Sequence, residues 1–189
     1  DKTEWQRLTN LASLGESLDS FKPGCGSKTL EPGMEEQLIA RFDDELLSSR
    51  SVELADLEDD VEGCYERGWS DGLPVIPPTR VRVIRMLKGT DRSPGEIIGN
   101  IPPDNAPCTI EKVAINAVLA GCKPEYFPIV LASIQAALQD KFCMHGLLCT
   151  TYFSGPVMIV NGPVVQQIGL NNGINALGQG SRANATIGR

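Results

Sequence analysis

At 189 residues the chain is long enough for one domain with a buried core, or for a domain carrying an arm. Its net charge of −7, without a basic stripe, excludes an ordinary nucleic-acid surface. No apolar run approaches the roughly 20 residues of a bilayer-spanning helix, and no signal-peptide pattern opens the chain, so the expectation is a soluble, cytoplasmic protein off the membrane. Six cysteines (Cys25, Cys64, Cys108, Cys122, Cys143, Cys149) form no C-x-x-C pair. They read as reduced thiols, several in apolar stretches, rather than as a disulfide framework. Charge is unevenly spread. Glu31–Glu62 is strongly acidic, opposed only by Arg41 and Arg50, whereas Tyr126–Arg189 carries only Asp140, Lys141, Arg182 and Arg189. So little charge over that length implies a domain core, or a face covered by another subunit.

In chain order, Trp5, Leu8, Leu11 and Leu14 suit a short amphipathic helix, followed by a glycine-rich loop around Cys25. Pro32–Ser48 has helical apolar spacing through Met34, Leu38, Ile39, Phe42 and Leu46, and Ser51–Gly68 suggests another helix. The linker-like Ser48-Ser-Arg-Ser puts an N-terminal helical arm at 1–50 and the core domain at 51–189. Gly68-Trp-Ser-Asp-Gly-Leu-Pro-Val-Ile-Pro-Pro-Thr is stiffened by its prolines, and Thr79 then caps a helix, Arg80–Lys88, ending at Gly89. Ser93-Pro-Gly-Glu is a turn or a capping-box start, Glu96-Ile-Ile-Gly a short strand, and Ile101-Pro-Pro-Asp-Asn-Ala-Pro-Cys a proline-rigid crossing.

The centre of the chain is Thr109–Gln139. Thr109 is placed to cap a helix with apolar Val113, Ala114, Ala117 and Val118, and Gly121 is placed to stop it. Pro124 opens a second helix, Glu125–Gln139, leaving Cys122 in the corner. Beyond it, Gly146–Phe153 and Pro156–Val160 read as buried strands and Asn161-Gly-Pro as a turn. Ser181 caps a final short helix that stops at Arg189, which suggests a folding unit continued by a separate chain. The fold class is α/β or α+β: a helical pair on a small sheet that a partner chain completes.

The Gly/Asn-rich segment after Asn161 is the first candidate site. Asn161, Asn171, Asn175 and Asn184 offer amides, and glycines allow close backbone approach. Arg182, in a stretch nearly free of other charge, suits a bidentate grip on a carboxylate; the alternative is a tight loop whose Arg pairs with an acid elsewhere. No dinucleotide fingerprint or P-loop is present. Cys122 is a candidate nucleophile if the following helix lowers its pKa, or else a buried structural thiol. His145, the single histidine, is a candidate general base. Cys143, His145 and Cys149 have an irregular spacing that lacks a nearby fourth metal ligand, and no metal site is assigned. The sequence leaves any cofactor unknown. Glu111 reads as a first-turn capping partner. Asp71 and Asp104 lie in proline-rigid loops, serving either a cleft or a turn.

The Gly68–Thr79 stretch, together with Glu111-Lys-Val-Ala-Ile-Asn-Ala-Val-Leu-Ala-Gly-Cys-Lys-Pro-Glu-Tyr and Val160-Asn-Gly-Pro, resembles a little-characterised bacterial family. Its members are often encoded beside, or fused to, proteins bearing a selenocysteine- or cysteine-Gly-Ser-Cys motif, and they carry loose thiol-redox labels. The resemblance covers about residues 63–189 and implies relatives that continue past the final helix, so that here a separate chain would complete the fold. Cys25-Gly-Ser-Lys lacks the second cysteine of the neighbouring motif.

Three functions follow as expectations. The first is a subunit of a hetero-oligomeric enzyme acting on a small anionic or amide-bearing substrate by lyase, hydrolase or hydratase chemistry, with Cys122 or His145 reacting and a second polypeptide closing the site. The second is a thiol-redox component using Cys25 or Cys122. The third is a non-catalytic scaffold.

Overall fold

The computed structural model describes residues 33–43, 45–55 and 58–189. The expected Trp5 helix and the Cys25 loop lie outside the described residues. The chain divides between Leu46 and Leu47 into two units. In the first, α1 (Met34–Phe42) follows Gly33, whose φ of 93° sets the entry turn. The expected helix to Ser48 ends early. The Asp43 carboxylate accepts from the Leu46 N–H at 3.1 Å, giving the backbone a turn in place of another helical repeat.

The second unit holds α2 (Asp60–Glu66), α3 (Arg80–Leu87), β1 (Ile97–Ile101), β2 (Ala106–Thr109), α4 (Ile110–Leu119), α5 (Phe127–Ala137), α6 (Met144–Cys149), α7 (Val164–Gln167) and α8 (Arg182–Gly188). Helices with one two-stranded antiparallel sheet make the class α+β. The helix expected over 51–68 is confined to α2. The Asp59 carboxylate fixes its start by accepting from the Val61 and Glu62 N–H groups at 2.9 and 3.0 Å. The expected proline-rigid crossing after Ile101 is instead the turn of a hairpin, pairing Gly99 with Cys108 and Ile101 with Ala106, with a cis peptide at Pro102–Pro103.

The helical pair forms as its caps dictate. Thr109 Oγ1 accepts from the Lys112 N–H, Gly121 turns the chain at a φ of 87°, and Pro124–Tyr126 makes a 3-10 turn that runs into α5. Ile110, Ala114 and Phe127 are fully buried, with Val83 and Met86 of α3 completing the core. Gly89 makes this approach possible, because a Cβ there would stand 2.3 Å from the Pro124 carbonyl oxygen.

Glu111, at the start of α4, has a larger part than capping. It is buried, and its carboxylate accepts from Ser48 N–H (3.0 Å), Ser48 Oγ–H (2.7 Å) and Ser49 N–H (2.9 Å). Burial works to raise its pKa, but these donors outweigh it and hold the carboxyl below its ordinary value. The segment read as a linker is thus anchored at the core by a charge-assisted clamp.

Two expected strands do not form. Residues 144–149 are helix α6, and 155–160 carry no regular structure. Phe153, Val157 and Ile159 are 88%, 79% and 85% exposed. An apolar run becomes a strand only when another strand completes its ladder, and among the described residues none does. No described helix is long and apolar enough to cross a membrane.

Candidate functional site

The C-terminal helix is tied to the corner of the helical pair. Arg182 donates from Nε and Nη2 to the Gly121 carbonyl at 3.1 and 2.9 Å, and the Cys122 thiol donates to the Thr186 carbonyl at 3.2 Å. At the other end, Arg189 forks onto Asp71, with Nε 2.7 Å from Oδ2 and Nη2 on Oδ1. It also reaches the Pro74 and Leu73 carbonyls. This grip holds the Asp71 carboxyl far down, at about 2. Asp71 therefore locks the proline-rigid loop to α8 and is not presented to a cleft.

Between the corner and α8 opens a surface cleft of about 580 Å³. Asn171, Asn175 and Arg182 from the sequence reading line it, together with Lys123, Tyr126, Gln179 and Ser181. Among the described residues Lys123 and Arg182 face this space and no carboxylate lines it. Lys123, Tyr126 and Gln179 were missed as site residues. No local pattern marks them, because Lys123 joins this space only through the docking of α8.

The asparagines mainly build the wall. Asn184 Oδ1 accepts from the Asn171 N–H and from Ser181 Oγ–H, each at 2.8 Å. Its Nδ2 donates to the Asn171 and Ala176 carbonyls, each at 2.9 Å. These four bonds saturate the amide, so Asn184 shapes the loop and has no capacity left for a substrate. Asn171 Oδ1 accepts from the Gly173 N–H and its Nδ2 donates to the Ile174 carbonyl. Asn175, in the left-handed region at a φ of 64°, donates to the Gln179 carbonyl. Asn161 is exposed and lies outside the lining.

Of the two alternative catalytic residues, Cys122 and His145, neither lines the cleft. Cys122 is buried. Burial pushes its thiol up, against the smaller opposing effects of the Thr186 contact and the Arg182 charge, which favours the buried structural thiol of the two alternatives. His145 stands exposed on α6 with Nε2 3.4 Å from Cys149 Sγ. Among the described residues no three His, Cys, Asp or Glu side chains converge as a metal-binding group. A second hollow of about 430 Å³ lies beside Arg50, Arg67 and Trp69, but Arg67 is already bonded to Glu58 and the Gly63 carbonyl.

No family model, curated protein or solved structure matches the chain.

Proposed function

We propose that this chain is the substrate-holding subunit of a hetero-oligomeric enzyme, binding a small anionic or amide-bearing molecule in the Lys123–Arg182 cleft. The observation that supports it most is the meeting of Lys123 and Arg182 in a space that no carboxylate of the described residues lines, in a part of the chain almost free of other charge. Two cations so placed suit one carboxylate or phosphate, and the Gln179 amide and Ser181 hydroxyl suit a neighbouring polar group. Lyase, hydrolase or hydratase chemistry also needs a proton-transfer group, and neither His145 nor Cys122 reaches the cleft. In this reading a second polypeptide supplies it.

The same polypeptide would cover residues 155–160. Their backbone makes no hydrogen bond within the described residues, and their apolar side chains stand open, which suits an added partner strand. From Phe142 to Ser181 no formal charge opposes that contact. The resemblance to chains encoded beside a companion protein fits this arrangement, and reduced thiols fit a cytoplasmic setting. Redox use of Cys122 is disfavoured by its burial, and Cys25 lies outside the described residues.

Calorimetric titration with small mono- and dicarboxylates tests the cleft. Binding should weaken at least about tenfold in Lys123→Ala, whose side chain is exposed, and also in Arg182→Gln. Equal affinity in wild type and both variants would leave the scaffold role in its place.

A further inference from the structure

The described cysteines fall into two groups. Cys64, Cys108 and Cys122 are buried, and burial pushes each thiol upward. Cys143 and Cys149 are exposed at the two ends of α6. Their surroundings differ: Cys149 has an imidazole beside it, with His145 Nε2 3.4 Å from its sulfur, one helical turn away. Helical i,i+4 spacing brings these side chains together, since both project from one face. Cys143 instead takes a left-handed backbone, φ 55°, which turns its sulfur over Gly146; a Cβ on Gly146 would lie 3.1 Å from Cys143 Sγ. Of these two accessible sulfurs, Cys149 is the one within hydrogen-bond distance of an imidazole nitrogen among the described residues.

We propose that Cys149 and His145 form a thiol–imidazole pair that exchanges with low-molecular-weight disulfides, making Cys149 a mixed-disulfide site. His145 Nε2 takes the thiol proton as Cys149 Sγ attacks one sulfur of the disulfide. The new bond is Cys149 Sγ–S, and the disulfide's own S–S bond breaks. The departing sulfur leaves as a thiolate and recovers the proton from the imidazolium. Cys149 is oxidised, the small disulfide is reduced, and one molecule of its thiol is released. The pair does not line the cleft, so this chemistry is independent of the ligand binding proposed there.

The test reacts the reduced full-length chain with glutathione disulfide near pH 7 and follows each cysteine by peptide mass mapping. Cys149 should form the mixed disulfide at least about fivefold faster than Cys143, and both faster than the three buried thiols. His145→Gln should slow Cys149 to the Cys143 rate while leaving Cys143 unchanged, so Cys143 serves as an internal control for the integrity of α6. Equal rates at Cys143 and Cys149 in the wild type would overturn the proposal. So would a His145→Gln protein in which Cys149 is unaffected, or in which both thiols slow equally.

Discussion

Residues 109–137 and residues 142–160 are both apolar and both poor in charge, yet the chain treats them differently. In the first region α4 and α5 fold back at Gly121 and bury Ile110, Ala114 and Phe127 completely. In the second, Phe153 and Ile159 stand in the open. A helix satisfies its own backbone and needs only a neighbouring face to cover its stripe, whereas a strand needs both a ladder and a cover. The helical pair finds its face in α3. The later segment finds neither within the described residues, so similar hydrophobicity gives a core in one place and an open surface in the other.

Substitutions break this comparison most sharply when Phe127 and Phe153 are set side by side. Phe127→Ala should destabilise the chain by about 3–5 kcal/mol in a urea titration, because it empties a fully buried site. Next in size is Glu111→Gln, expected to cost about 2–3 kcal/mol by turning an amide N–H₂ toward donors that now face a carboxylate. Gly89→Ala should cost about 1–3 kcal/mol, since its methyl group meets the Pro124 carbonyl and the helices must separate. At the small end, Phe153→Ala should change the stability of the isolated chain by less than about 0.5 kcal/mol.

Acid sharpens the same contrast. The Glu111 carboxyl is held below its ordinary value of 4.5, so its contribution is complete above that value and declines as the pH falls through the folded pKa. Asp71, lowered from 3.8 to about 2, adds a contribution lost between those values. Urea midpoints measured from pH 6 down to about 2 should fall in this range. Asp71→Asn should flatten the last part of the decline, and an unchanged profile would count against the Arg189 clasp.

The parts legible in the sequence are those governed by neighbours in the chain. Thr109, Gly121, Pro124 and Ser181 carry their own cap and stop chemistry, and each stands where its residue type implied. Glu111 was only half legible, because Ser48 lies 63 positions away and no local pattern links the two. The hairpin was hidden by Pro102 and Pro103, which look like a stiff crossing until β2 is seen to pair back. The cleft was partly legible: its Asn/Gly wall and Arg182 were visible, while Lys123 entered only through the docking of α8. The strands expected after Gly146 went astray because an apolar run records what wants to be covered, not whether a cover exists.

Amide hydrogen exchange on the isolated chain, read by mass spectrometry at peptide resolution, tests the contrast most directly. The account predicts slow exchange across 110–119 and 127–137, and exchange close to the unprotected rate across 155–160. Protection of 155–160 to the level of the helical pair, in a chain shown to be monomeric, would contradict it.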